Sequence, residues 1–150
     1  MDAIKFYSVN PDYSFLSNFH PCLLTIDGRT YNSVEHYFQA AKFEGNPEFQ
    51  EKIRMAGTPG EAKRLGKSRD YKITEKWDVL RDEVMRRALK EKFKDPTLLK
   101  KLAETAGRLL VEDSPYDYYW GAGRSGCGQN MLGKLLMELR DRDGRSLGPK

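Results

Sequence analysis

Apolar and polar positions change their period along the chain, and the change divides it. In the first third they alternate over short runs. Lys5–Ser8 reads as a strand broken by Asn10-Pro11-Asp12, while Cys22–Ile26 and Arg29–Tyr31 flank Asp27-Gly28, a dipeptide suited to a type I′ hairpin turn. A helix is expected from Asn32 or Ser33 through VEHYFQAAKF to about Phe43, with Gly45 and Pro47 closing it. The period then becomes three to four, which predicts helices over Pro47–Ala56, Pro59–Lys67 and Thr74–Phe93. In the last of these Trp77, Leu80, Val84 and Ala88 form the expected buried stripe. Asp95-Pro96 opens a short helix over Thr97–Thr105 with Leu98, Leu99 and Leu102 inward, and Leu109–Glu112 reads as a strand. The stretch from Asp113 to Asn130, rich in Gly and Tyr, reads as a loop, and Asn130 is placed to cap a final helix from Met131 to about Asp141. The tail DGRSLGPK is expected to fray. The expectation is one mainly helical domain over residues 1–150, its core at about 6–142, with a small N-terminal β element: an α+β fold.

Composition narrows the class more than the function. With 39% hydrophobic residues and 17 aromatics, the chain of 150 residues has the means to bury a core. No apolar run reaches membrane-spanning length, and the N-terminus lacks the basic-then-apolar shape of a secretory signal. Cys22 and Cys127 lie outside any CxxC or Cys/His cluster, which predicts two reduced thiols in a cytoplasmic protein. Only His20 and His36 are available as imidazole ligands, so no metal is expected; the reading also calls for no cofactor. The net charge of +4 is unevenly spread: residues 48–108 carry 17 basic and 11 acidic side chains, and residues 109–150 carry 6 of each. Such a surplus suits a solvated set of helix faces as well as a surface that attracts phosphate.

Three groups of residues can carry chemistry. Glu35, Gln39 and Lys42 fall at i, i+4 and i+7 and so share one face of the helix after the hairpin. A plainer account exists for two of them: with Asn32 as cap, Glu35 sits where a capping-box carboxylate belongs, and Lys42 suits a helix C-terminus. The second group is the loop SPYDYYWGAGRSGCGQNMLG. Gly121, Gly123 and Gly126 spell GxGxxG, but Tyr and Trp precede them and no βαβ unit surrounds them, which argues against a dinucleotide fold. The glycines offer close backbone approach and free amides ahead of a helix, a setting for phosphate or ribose. Asp117, three residues before Trp120, suits either a ribose contact beside a stacking ring or a simple turn. The third group, Trp77, Arg81 and Met85, recurs at i, i+4 and i+8, where Trp and Met suit a core and Arg81 suits a carboxylate or phosphate.

In order along the chain, FLSNFHP, IDGRTYNSVEHYFQAAKF, AGTPGEAKRLGKS and DYYWGAGRSGCGQNMLGKLLMELR resemble the NADAR (YbiA-like) family, from about Phe6 to Arg142. The resemblance implies a mainly helical, metal-independent N-glycosidase fold acting on ribosylated bases. Two substrates are associated with it: ribosylaminopyrimidine phosphates of riboflavin biosynthesis, and ADP-ribose attached to guanine in nucleic acid. It also implies active-site roles for Glu35, Asp117 and Trp77, and matches Lys42 to the lysine of EHYFQAxKF.

Cleavage of an N-glycosidic bond builds positive charge on the ribose, which carboxylates at Glu35 and Asp117 would stabilise. Lys42 offers another route, through a Schiff base with the opened ribosylamine. Trp77 or Trp120 would stack the base, Asn18 and Asn130 would hydrogen-bond sugar or base, and Arg81 or Lys63 would hold phosphate. Phe19, Gly121 and Gly123 complete the expected binding set. The expected partner is a small ribosylated base or ADP-ribosylated nucleic acid, with no membrane and no obligate protein partner. The competing class is a non-catalytic reader of ADP-ribose or nucleotide, which has no use for Glu35 and Lys42 together. A basic nucleic-acid-binding module is the weakest reading, because no recognised motif for one is present.

Overall fold

The structure is a computed structural model that describes residues 2–7 and 11–144. The expected fraying of 145–150, the end of the first strand at Ser8 and the break at Asn10 lie outside the described residues. In chain order the elements are β1 (Ile4–Phe6), a 3-10 turn (Ser14–Leu16), β2 (Leu24–Ile26), β3 (Arg29–Tyr31), α1 (Val34–Ala41), α2 (Pro47–Arg54), α3 (Pro59–Leu65), α4 (Trp77–Lys92), α5 (Pro96–Ala103), β4 (Leu110–Glu112) and α6 (Met131–Asp143). The class is the expected one, helices with a few short strands. These elements group into two compact units, Asn18–Lys92 and the remainder of the chain.

In the unit Asn18–Lys92, β2 and β3 pair antiparallel with Leu24 opposite Tyr31, and Asp27 and Gly28 both take the positive φ that a type I′ turn requires. Asn46 and Thr58 cap α2 and α3, each accepting from the amide three residues on and each followed by proline. α1 is the centre, buried from Val34 to Ala40 and packed against α2, α3 and α4. Its C-terminal carbonyls are satisfied from outside the helix: Gln50 donates to Ala40 O, Thr74 Oγ1 to Ala41 O and Thr74 N to Lys42 O.

α4 departs from its expected stripe. The buried residues are Met85, Ala88, Leu89 and Lys92, whereas Leu80 is exposed. The i, i+3, i+4 spacing fits both sets, so periodicity found the helix but not its rotation. The true face includes a lysine, which hydropathy assigns to solvent.

Burial of Lys92 has a thermodynamic consequence. Loss of water pushes its ammonium down to about 8 from 10.5, with Cys22 opposing the shift. Between these values the folded chain binds fewer protons than the unfolded one. The penalty is therefore complete below about pH 8, and stability rises with pH through the window by about 3 kcal/mol. Lys92→Met is expected to flatten the rise of stability with pH. A rise left intact would contradict this account.

In the other unit β1 and β4 pair in parallel, Ile4 opposite Leu110 and Phe6 opposite Glu112. α6 lies so close to β4 that a Cβ at Gly133 would stand 2.2 Å from Leu110 O. Arg140, buried near the end of α6, donates to Thr105 O and Arg108 O, fixing the turn after α5. α6 runs to Asp143, into the stretch expected to fray.

Candidate active site

α1 begins with a cap that does not involve Glu35. Ser33 is the N-cap: its Oγ accepts from His36 N. His36 Nε2 donates to Ala56 O at 3.0 Å, and its Nδ1 is hydrogen-bonded to the Ser33 hydroxyl at 2.7 Å. The expected box between Asn32 and Glu35 is not formed. Moving the cap one residue along puts Glu35 one position short of the box.

That carboxylate is buried, 7% exposed, and accepts from Gln39 Nε2 at 2.9 Å. One turn further on, Lys42 Nζ donates to Gly66 O at 2.8 Å, at the C-terminus of α3. Burial pushes the Lys42 ammonium below the ordinary lysine range, assisted by Lys67 and opposed by the negative charge of Glu35. The face read from sequence as Glu35, Gln39 and Lys42 is thus a joined set: acid, amide and a lysine whose charged form is disfavoured.

Around it the unit assembles further residues from the expected list. Asn18 is buried; its backbone carbonyl accepts from Glu35 N and its Nδ2 donates to Met85 Sδ at 3.7 Å. Met85 is core, as its spacing allowed, and Arg81 lies half-buried one turn earlier on the same face of α4. Trp77 packs its ring against Phe38 at 5.2 Å between centroids. Lys63 places its ammonium 5.8 Å from the Phe19 ring centroid, a cation–π pair between α3 and the segment that carries Asn18. On the other flank of α1 a cavity of about 480 Å³ is lined by Tyr31, Tyr37, Trp77 and Arg87 among others, with Arg87 paired to Asp27 at its edge.

The glycine loop belongs to the other unit and is organised by its own hydrogen bonds. Asp117 Oδ1 accepts from Tyr119 N at 3.0 Å and Trp120 N at 2.8 Å, the turn-forming arrangement. Trp120 meets Tyr119 edge to face. Asn130 does not cap α6. It has a left-handed backbone, and its side chain bridges β4, accepting from Glu112 N and donating to Leu110 O. The free amides expected ahead of α6 are also absent, because the amides of Gly128 to Leu132 all donate to carbonyls between Tyr118 and Ala122. The loop supplies its own acceptors, which the glycine spacing does not reveal.

Gly121 is buried, and a Cβ on it would meet carbonyls of Asp117 and Glu112 at 3.0–3.1 Å. Gly123 takes φ +69°, and a Cβ there would lie 2.3 Å from the Tyr118 ring. Both constraints are internal. Gly123→Val is therefore expected to cost about 1–3 kcal/mol through strain and displacement of Tyr118, with the helical circular dichroism of the folded protein retained. An unchanged melting temperature would refute that packing account.

A buried carboxylate and a desolvated amine on one helix face are the equipment of an acid–base or nucleophilic enzyme. Comparison with known proteins gives that class a family. The NADAR domain matches residues 5–142. N-glycosidase YbiA of Escherichia coli K12 is 42% identical over 139 residues, covering 92% of this chain and 86% of that protein. The riboflavin biosynthesis protein PYRR of Zea mays is 41% identical, covering 93% of this chain and a 25% share of the plant protein. The NMR structure of E. coli YbiA superimposes with a TM-score of 0.87 at 40% identity, covering 99% of this chain and 89% of that one. The chain belongs to the NADAR family. It is an enzyme of the N-glycosyl hydrolase class.

Sequence reasoning placed Gly66 only as the end of its helix, which it is, and gave it no part in the site. Gln39 was legible as a neighbour of Glu35 and Lys42 through its spacing, but spacing gave it no task.

Proposed function

We propose that the chain hydrolyses the bond between ribose and an amino nitrogen in a ribosylated base, with ribosylaminopyrimidine phosphates as the substrate class. The observation that carries this reading is the Glu35–Gln39–Lys42 face, a held carboxylate beside a lysine that burial inclines toward the neutral amine. The names of relatives from Zea mays and Vibrio vulnificus, both riboflavin biosynthesis proteins, support the pyrimidine class.

As the C1′–N bond lengthens, positive charge grows on the ribose, and the Glu35 carboxylate is the group in this cluster able to stabilise it. Lys42 provides a second course. The ribosylamine opens to an imine, and the neutral Lys42 amine adds to C1′ and expels the amine of the base. The protonated Schiff base left on Lys42 is hydrolysed by water to free lysine and ribose 5-phosphate. Carboxylate-assisted hydrolysis is the main course, and the Lys42 adduct is the variant that trapping decides. Arg81 and Lys63 are the proposed phosphate holders, and Phe19 carries Lys63 in place.

Mass analysis of products from a ribosylaminopyrimidine phosphate and from ADP-ribosylated guanine in an oligonucleotide, run in parallel, tests the substrate class. Free aminopyrimidine with ribose 5-phosphate is the expected result. Turnover of the oligonucleotide alone would replace this substrate class with ADP-ribosylguanine, and binding of either without a product would return the chain to the reader class.

A further inference from the structure

The contacts of Gln39 are unusual for a buried amide. The side chain is 8% exposed, its Nε2 donates to Glu35 Oε1, and its Oε1 is buried with no hydrogen-bond partner among the described residues. Native folds leave few buried acceptors in that condition, and those they leave call for a reason. The neighbour of that oxygen is position 66. A Cβ built on Gly66 would stand 1.9 Å from Gln39 Oε1, 2.6 Å from its Cδ and 3.1 Å from its Cγ. No side chain, not even a methyl group, coexists with the carboxamide where it is. The φ of Gly66 is −65°, an ordinary helical value, so backbone freedom does not explain the glycine. The same residue gives its carbonyl to Lys42 Nζ.

We infer that Gln39 is a positioning residue of the N-glycosidase reaction, its carboxamide fixing the Glu35 carboxylate from a seat that exists only because position 66 carries no side chain. The end of α3 then acts on both reactive groups. Its carbonyl directs the Lys42 amine, and its bare Cα admits the amide that orients Glu35. The unsatisfied Oε1 is what this seat entails: the amide is turned so that its donor faces the carboxylate. An amide donor favours the charged form of the acid it meets, the form that a growing positive charge on the ribose calls for. This inference rests on the reading of Glu35 as a reacting group.

The test compares Gln39→Met, Gly66→Ala and the double variant with wild type, using a ribosylaminopyrimidine phosphate and following kcat and KM against pH. Gln39→Met keeps length and removes the donor. It is expected to lower kcat about tenfold or more with KM within about twofold, and to move the acidic limb of the pH profile to higher pH. A purely structural role would leave the acidic limb where it is. Gly66→Ala keeps every polar group but displaces the carboxamide, and is expected to give the same signature. In the double variant the methyl group no longer meets an amide, so its activity is expected to match that of Gln39→Met rather than the product of the two losses. If Gly66→Ala alone fails to fold, the double variant is expected to recover folding. Failure of both to fold, or multiplicative losses, would overturn the seat. Wild-type kcat and an unmoved acidic limb in Gln39→Met would overturn the positioning role. Glu35→Gln separates the two levels of the argument. A fully active Glu35→Gln removes the catalytic reading and this inference with it, whereas an inactive one beside an unaffected Gln39→Met removes the inference alone.

Discussion

Glu35→Gln is expected to lower kcat by about 10²-fold or more and to leave KM within about twofold. The change keeps the shape of the side chain and removes its charge. A role in capping would make it mild, since Gln serves a capping box almost as well as Glu. The structure closes that alternative, because Ser33 and His36 form the cap and the Glu35 carboxylate meets Gln39 instead. On the proposed reading, the carboxylate held by Gln39 interacts with charge that arises during the reaction. Burial strengthens that interaction, because little water screens it. The loss corresponds to about 3 kcal/mol of transition-state stabilisation, in the range of a single well-placed electrostatic group. Steady-state kinetics with melting curves as a control checks it, and a KM effect with kcat unchanged would make Glu35 a binding group.

Lys42→Arg is expected to show the second large effect and to separate two chemistries. Arginine retains a positive charge and a donor for Gly66 O, but it stays protonated and forms no imine. In wild type, burial disfavours the Lys42 ammonium, so its neutral form appears at lower pH than in a solvated lysine. If the neutral amine attacks, turnover rises with pH as that proton is lost, and this limb disappears in Lys42→Arg together with activity. Borohydride added during turnover then leaves a ribosyl adduct on Lys42 in wild type. An active Lys42→Arg without an adduct in wild type assigns the chemistry to carboxylate-assisted hydrolysis.

Local chemistry was legible in the sequence, and long-range chemistry was not. Asp27-Gly28 specified its turn, and Pro47, Pro59 and Asp95-Pro96 each marked a helix start, because turns and helix starts are decided within a few residues. The i, i+4, i+7 spacing placed Glu35, Gln39 and Lys42 on one face. It did not reveal what the face meets, since Gly66 arrives from another helix. The cap fell to Ser33 rather than Asn32, a choice settled by His36 reaching Ala56 O twenty residues away. Asn130 looked like a helix cap because its neighbours are helical. Its side chain serves β4 instead, and nothing within ten residues of it announces that strand. The parallel pairing of Ile4 with Leu110 and the burial of Lys92 likewise depend on tertiary context that hydropathy patterns do not carry.

The double variant Glu35→Gln/Lys42→Arg, incubated with a ribosylaminopyrimidine phosphate and assayed for free aminopyrimidine by mass spectrometry, tests the assignment of the chemistry to this face of α1. It removes the carboxylate and the amine and leaves the cap, the core and the glycine loop intact. The expected result is a folded protein that releases base no faster than the uncatalysed reaction does. Release at a near wild-type rate would contradict the assignment and place the active site elsewhere in the chain.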